Sequence, residues 1–264
     1  MIKAVFFDID GTLISFTRNI IPPEAMDALR QLQQKGVLLF IASGRPPIQL
    51  PILPESFQQI RWDGYVLMNG QYCMDADKKE LRRHPISKEA LHAVVPWLKE
   101  NAKWPCTFME LDYSYDLTFN PGYYEYLDRI GRLDMMPPVD DPERSYTHDT
   151  YQICPYIPEE MDAEFLRHAP GMKSARWIDS FADMIPEDGG KPEGLRFMLE
   201  RHGIKREECM AFGDGGNDIT MLEYAGIGVA MGNAGEHVKK AADYVTDHVD
   251  EAGLLNAFKY FGML

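Results

Sequence analysis

The 264-residue sequence has little cysteine, and its cysteines show no pairing pattern. Cys73, Cys106, Cys154 and Cys209 lie far apart, and no two of them form a C-x-x-C pair. This spacing argues against a structural zinc site and against a disulfide framework. The seven histidines show no H-x-x-x-H spacing either, so histidine-ligated metal chemistry is not indicated. We expect four buried thiols and ordinary histidines.

Basic side chains are also scarce. The chain carries 27 Lys and Arg against 41 Asp and Glu, a formal net charge of −14. Such a charge disfavours nucleic acids and anionic membranes as partners, because both attract basic proteins. It does not exclude an anionic small molecule, because one divalent cation and a few basic side chains can reverse the local field at a site.

Long apolar runs are missing as well. No stretch reaches the roughly 20 apolar residues that a membrane span needs, and the amino terminus does not resemble a signal peptide. We therefore expect a soluble, cytoplasmic protein with no nucleic-acid or membrane partner. The 45% of apolar residues suffice for the core of a large α/β domain, with or without a second domain.

The periodicity of both ends of the chain predicts alternating strands and helices. Residues 4–7, 37–44 and 64–70 read as buried strands, and a helix with proline at its start and glycine after its end separates the first two. From Lys191 onward helices and short strands alternate again. Short connections between such elements predict right-handed crossovers and a doubly wound parallel sheet.

The middle of the chain differs in composition. Between about His84 and Ile185 helical stretches alternate with strand-like pieces, and eight of the thirteen tyrosines fall between Tyr113 and Tyr156. We predict an inserted α/β domain over residues 84–185, with a discontinuous core over 1–83 and 186–264. The inserted domain also offers aromatic side chains that could stack on a ligand or pack in its core: Tyr113, Tyr115, Tyr123, Tyr124, Tyr126 and Trp177.

The opening strand ends in the segment DIDGT, which places two carboxylates two residues apart. Asp8 and Asp10 would lean the same way at the carboxyl end of a strand, where open α/β sheets bind ligands. A calcium loop starting at Asp8 is excluded, because its twelfth position is Asn19 and not glutamate. A solvated Asp-Gly turn and a catalytic metal site both remain open at this point.

Three more polar clusters follow apolar strands or precede helices. Ser43 and Gly44 in SGRP could bind an oxyanion or form a plain turn, and Arg45 could contact a substrate or form an ion pair. Lys191 follows a Gly-Gly pair and would ordinarily be solvated. In the segment GDGGND (213–218) helix capping explains Asn217 or Asp218, but it does not explain Asp214.

In this order the clusters make the sequence similar to the haloacid dehalogenase (HAD) superfamily. Its four motifs match DIDGT at 8–12, Ser43 in IASGR, Lys191 in GGKPEGL, and GDGGND at 213–218. The long insertion between the second and third motifs resembles the Cof-type branch, which carries an α/β cap there. The resemblance implies a Rossmann-like core with an inserted cap that closes over the site.

The resemblance also implies a role for each residue. Asp8 would be the nucleophile, Asp10 the general acid and base, and Lys191 a further catalytic group. Mg²⁺ would be held by the Asp8 and Asp214 carboxylates and the Asp10 carbonyl. The phosphoryl oxygens would be bound by Ser43, Gly44, Lys191 and Asn217, while Asp218 would orient Lys191 or a metal-bound water.

The activity so implied is that of a magnesium-dependent phosphomonoesterase. It would hydrolyse a small phosphorylated metabolite, with a sugar phosphate as the leading candidate, through an aspartyl-phosphate intermediate. A phosphomutase using the same nucleophile and a non-catalytic module that binds phosphate esters are the alternatives. We expect a monomer or a weak homodimer.

Overall fold

The structure, a computed structural model, describes residues 1–129 and 132–264. It divides into two compact units. The core unit comprises residues 1–45, 49–83 and 189–264, and the inserted unit comprises 46–48 and 84–188.

The helices and strands follow one another along the chain in three groups. The first part of the core unit contains β1 (Ala4–Phe7), α1 (Pro23–Gln34), β2 (Leu38–Ala42), α2 (Glu55–Gln58), β3 (Gly64–Leu67), β4 (Tyr72–Asp75) and β5 (Glu80–Arg83). The inserted unit contains α3 (Lys88–Glu100), β6 (Cys106–Met109), β7 (Ser114–Asp116), α4 (Pro121–Arg129), β8 (Gln152–Pro155), α5 (Asp162–Arg167), β9 (Met172–Ile178) and β10 (Phe181–Pro186). The core unit then resumes with α6 (Lys191–His202), β11 (Cys209–Gly213), α7 (Ile219–Tyr224), β12 (Ile227–Ala230), α8 (Glu236–Ala241), β13 (Tyr244–Val245) and α9 (Gly253–Tyr260).

The core sheet has the strand order β13-β12-β11-β1-β2-β3-β4-β5. All pairings from β13 to β3 are parallel, and β1 lies between β11 and β2. The strands from the two ends of the chain therefore meet at the centre of one sheet. This arrangement confirms the predicted α/β class with a parallel core sheet.

Helices cover the core sheet on both faces, since successive strand residues point to opposite sides. Phe6 stacks on Phe40 on the face that packs against α6 and α7. Phe7 stacks on Phe212 on the other face, where both rings contact Phe258 of α9. Burial on both faces explains why the central strands are continuously apolar.

The antiparallel hairpin of β4 and β5 is a feature that the periodicity did not predict. β4 pairs with β3, and β5 forms the edge of the sheet. Three of the four residues of β5 (Glu80–Arg83) are charged, and the strand is partly exposed. A polar edge strand has no apolar signal to reveal it, although charge on an edge protects the sheet from pairing with other chains.

The inserted unit has its own five-stranded antiparallel sheet in the order β7-β6-β8-β10-β9. One face packs on an apolar core with α3 and α5. Tyr115 belongs to this core and stacks on Phe108, whereas Tyr124 and Trp177 are about two-fifths exposed. The side chain of Tyr126 lies outside the described residues.

Within the described part of the chain, no helix combines the length and apolar character that crossing a membrane requires.

Candidate active site

Three neighbouring strands of the core sheet end in the predicted polar residues. Asp8 follows β1, Ser43 follows β2, and Asp214 follows β11. Because these strands are parallel and adjacent, their carboxyl ends lie along one edge of the sheet. The fold thus collects residues that are up to about two hundred positions apart in sequence.

Lys191 is the first residue of α6 and is buried, in contrast to the solvated lysine that its sequence context alone would favour. Its Nζ atom donates hydrogen bonds to Asp8 Oδ1 at 2.7 Å and to Asp218 Oδ1 at 2.5 Å. Burial opposes the charged ammonium, but the Asp218 and Asp8 carboxylates more than offset this and raise the pKa of Lys191. Lys191 is therefore a fixed cation between two carboxylates.

The carboxylate of Asp218 accepts three hydrogen bonds, more than those of Asp8 or Asp214. Its Oδ1 accepts the bond from Lys191, and its Oδ2 accepts bonds from the backbone amides of Asp214 and Gly215, both at 2.9 Å. The side chain thereby holds the glycine-rich turn of GDGGND in place and orients Lys191. This geometry accounts for a buried carboxylate without any ligand.

Asp214 is held by two side chains from other loops. Thr12 Oγ1 donates to Asp214 Oδ1 at 2.8 Å, and Asn233 Nδ2 donates to Oδ2 at 3.3 Å. Asn233 Nδ2 also donates to the carbonyl oxygen of Gly11 at 2.8 Å. A side chain at Gly11 would overlap the Asp214 carboxylate, so the backbone after Asp10 approaches Asp214 closely.

Asp8, Asp214 and Asp218 form one acidic group, with a ligand atom of each within 4.8 Å of the others. One buried lysine faces these three carboxylates. Burial raises the pKa of Asp8 to about 7 against the opposing effect of Lys191, and burial together with Asp8 and Asp218 raises that of Asp214 to about 8. When all three carboxyl groups are ionised, the group therefore carries more negative charge than Lys191 balances.

This donor set fits a hard divalent cation. Mg²⁺ prefers oxygen ligands and is usually bound through one or two carboxylates together with water and phosphate oxygens. Asp218 is already engaged by Lys191 and two amides, which leaves Asp8 and Asp214 as the better carboxylate ligands. The fit rests on oxygen chemistry and on the unbalanced charge of the acidic group.

The carboxylate of Asp10 has a different partner from that of Asp8. Arg45 donates to both oxygens of Asp10, from Nε at 2.7 Å and from Nη2 at 2.8 Å. Its Nη1 donates to Gln49 Oε1. Such a two-pronged contact fixes both the position and the rotation of a carboxylate. Of the two uses left open for Arg45, the structure shows the ion pair.

The predicted phosphate-binding residues lie on loops next to this group. Ser43 is buried, and its hydroxyl accepts a bond from the amide of Arg45 across Gly44. Asn217 lies in the turn before α7 and donates from Nδ2 to Asn69 Oδ1 at 3.0 Å. Ser43 and Asn217 therefore follow β2 and β11, the two strands that flank β1 and Asp8.

Sequence reasoning assigned no role to Thr12 or Asn233 and left the partner of Arg45 undecided. Thr12 was visible as the last residue of DIDGT, and Asn233 as the polar residue that follows β12. The position of Asn233 at yet another strand end was the available signal. Its Nδ2 joins the loops after β1 and β11 to its own loop after β12. Its Oδ1 also accepts from the amide of Val249, which follows β13.

Comparison with known proteins identifies the family of the chain. Residues 5–258 match the family of haloacid dehalogenase-like hydrolases. The putative phosphatase YkrA of Bacillus subtilis is 33% identical over 99% of this chain and 98% of its own. A sugar phosphatase of HAD subclass IIB is 38% identical, with a TM-score of 0.90 over 99% of this chain and 100% of its own.

A second solved structure is similarly close. A phosphatase of the HAD superfamily from Bacteroides thetaiotaomicron is 32% identical, with a TM-score of 0.90 over 100% of this chain and 96% of its own. The family match, the relative and the two solved structures each cover nearly the whole chain. The chain therefore belongs to the haloacid dehalogenase-like hydrolases and is a phosphatase of that family.

Proposed function

We propose that this phosphatase hydrolyses phosphate monoesters of small metabolites, with sugar phosphates as its substrate class, through a phosphorylated Asp8 and with Mg²⁺ as cofactor. The observation that carries the proposal is the geometry of Asp8. Its carboxylate lies at a strand end, is buried, and is held by a lysine at 2.7 Å within a group of three carboxylates. A purely structural role would not require this excess of negative charge.

In the first step Asp8 attacks the phosphorus atom of the bound ester. A bond forms between an Asp8 carboxylate oxygen and phosphorus, the ester P–O bond breaks, and the leaving oxygen takes a proton from Asp10. In the second step Asp10 removes a proton from water, which attacks the phosphorus and releases Asp8 and inorganic phosphate. Two steps with a covalent intermediate replace one very slow hydrolysis.

The neighbours of Asp8 and Asp10 support these roles. Lys191 binds one oxygen of Asp8 and thereby fixes the direction of attack, while Asp218 fixes Lys191. Arg45 holds the Asp10 carboxylate in one orientation, so the side chain is positioned before substrate binds, and Asp10 must exchange one of these contacts for a proton before it acts as the acid. We infer that Arg45 releases one of its two contacts when Asp10 transfers a proton.

Mg²⁺ would be held by the carboxylates of Asp8 and Asp214 and the backbone carbonyl of Asp10, and when bound it supplies the positive charge that offsets repulsion between Asp8 and the phosphoryl group. Ser43, Gly44, Lys191 and Asn217 are the candidates for contacts with the phosphoryl oxygens. Hydroxyl, amide and ammonium donors are suited to the charge that develops there.

The proposal of a sugar phosphate is supported by the subclass IIB sugar phosphatase, which is 38% identical over nearly the full length of both chains. The phosphoryl-binding residues would not select the alcohol part of the ester. We therefore expect several phosphorylated sugars to be hydrolysed, with differences among them in KM.

The test is phosphate release from a panel of phosphorylated sugars and other phosphorylated metabolites, with and without Mg²⁺. We expect turnover that requires Mg²⁺ and falls by at least about a thousandfold in Asp8→Asn, since the nucleophile is lost. Asp27→Asn, at an exposed position on α1, serves as the matched control and should retain full activity.

Three outcomes would contradict the proposal. Full activity of Asp8→Asn would rule out this nucleophile. Formation of an isomeric sugar phosphate without free phosphate would identify a phosphomutase. Tight binding of esters without turnover would identify a binding module.

A further inference from the structure

The loop after β3 has an unusual backbone conformation. Met68 and Asn69 have φ angles of 50° and 51°, and Gly70 follows with 93°. Two successive non-glycine residues in the left-handed region are uncommon, and such strain collects at functional sites when the surroundings hold it in place. Asn69 is nearly inaccessible to solvent, so this is not a loose surface turn.

Backbone bonds join this turn to the loop after β2. The amide of Asn69 donates to the carbonyl oxygen of Ser43 at 3.0 Å, and the amide of Met68 donates to that of Arg45 at 3.2 Å. The left-handed conformation aims both amides at the same neighbouring loop. The turn is thus tied to the segment that carries a predicted phosphate-binding hydroxyl.

The same turn packs tightly on the segment that precedes Lys191. A side chain at Gly70 would overlap the carbonyl oxygen of Gly190, and one at Gly189 would overlap the amide group of Gln71. Glycine is therefore required at position 70, where the overlap is with backbone, whereas at position 189 it leaves room for the Gln71 side chain. The start of α6, and with it Lys191, rests directly against the turn.

The side chain of Asn69 contacts a third segment, the GDGGND turn. Its Oδ1 accepts a hydrogen bond from Asn217 Nδ2 at 3.0 Å. An amide nitrogen carries two hydrogens, so this bond uses one and fixes the direction of the other. Without Asn69 the Asn217 amide would be free to rotate.

We propose that Asn69 is a positioning residue that orients the amide of Asn217 toward a phosphoryl oxygen. This inference rests on the proposed function, in which Asn217 binds that oxygen. Asn69 combines a strained backbone, which Asn tolerates better than most residues, with an acceptor at the required place. Glycine at this position would keep the backbone conformation and remove the acceptor together with the rest of the side chain.

The test is a double-mutant cycle with Asn69→Gly and Asn217→Ala. We measure hydrolysis of p-nitrophenyl phosphate with Mg²⁺ and, separately, the affinity for inorganic phosphate by calorimetry. We expect Asn69→Gly to fold normally and to lose about tenfold in kcat/KM, as other outer-shell changes do. Adding it to Asn217→Ala should cause no further loss, because its effect passes through Asn217.

Lys78→Gly is the matched control, since it replaces an exposed residue with a φ of 60° in the same unit and should leave both measurements unchanged. Losses that add in the double variant, or an Asn69→Gly variant that keeps wild-type turnover and phosphate affinity, would overturn the inference. Absence of turnover in the wild type would instead contradict the proposed function, and the phosphate affinities would then still decide the role of Asn69.

Discussion

Two buried acidic sites, one in each unit, differ in how their charge is balanced. In the inserted unit Glu110 is matched by one cation, Arg144, which donates to both of its oxygens at 2.8 and 2.9 Å. In the core unit Asp8, Asp214 and Asp218 share one cation among the described residues, Lys191. The balanced pair is compatible with a stable fold. The unbalanced group, when ionised, lowers the free energy of unfolding, and a bound cation would raise it again.

Removal of the shared cation should have the largest effect. Lys191→Met keeps most of the side-chain volume but leaves the buried carboxylates without their cation, so we expect it to lower the free energy of unfolding by about 3–5 kcal/mol. Chemical denaturation at pH 8 without divalent metal measures this. Lys99→Met is the control, because Lys99 pairs with Asp141 and Glu143 in solvent and should change little.

A variant Lys191→Met as stable as Lys99→Met would contradict the assignment of Lys191 as the cation that holds the acidic group together. Loss of activity alone would not support the assignment, because both a fold defect and a catalytic defect produce it.

The sequence could predict which backbone positions meet but not all of the contacts there. Asp8, Ser43 and Asp214 each end an apolar strand, so parallel topology alone brings them to one edge. The pairing of Arg45 with Asp10 depends on a loop conformation that no periodicity encodes. The same holds for Asn69, whose contact with Asn217 follows from a left-handed backbone.

A second buried carboxylate of the inserted unit sharpens the comparison. Within the part of the chain that the structure describes, Asp116 pairs with no cation, but its Oδ1 accepts a hydrogen bond from Thr107 Oγ1 at 2.5 Å. Burial raises its pKa from 3.8 to about 6, against the lowering effect of that bond. The folded state therefore binds this proton more tightly than the unfolded chain does.

The sign of the pH effect follows directly. The contribution of Asp116 to stability is fully present below about pH 4 and is lost as the pH rises through about 6. Asp116→Asn should remove this dependence and gain roughly 1–3 kcal/mol relative to wild type between pH 4 and pH 7. Urea denaturation at several pH values measures it, and an unchanged pH profile would contradict the assignment.

The smallest expected effect is the change in melting temperature when one charge is removed from the unbalanced group or from the balanced pair. At pH 8, above the pKa of about 7 that burial gives Asp8, Asp8→Asn keeps an oxygen that can accept from Lys191 but removes one excess charge. Without metal it should therefore melt about 2–4 °C above wild type, as about 1 kcal/mol would produce. Glu110→Gln removes a charge from a balanced pair and should lower the melting temperature. The same kind of substitution thus has opposite signs at Asp8, in the unbalanced group, and at Glu110, in the balanced pair.

The most direct test of the central claim is the melting temperature of wild type, Asp8→Asn and Glu110→Gln, each in EDTA and in Mg²⁺. We predict that Mg²⁺ raises the melting temperature of wild type and Glu110→Gln but has little effect on Asp8→Asn, because ligand binding stabilises only a chain that retains the site. The claim would be contradicted if Mg²⁺ left the melting temperature of wild type unchanged and Asp8→Asn melted below wild type in EDTA.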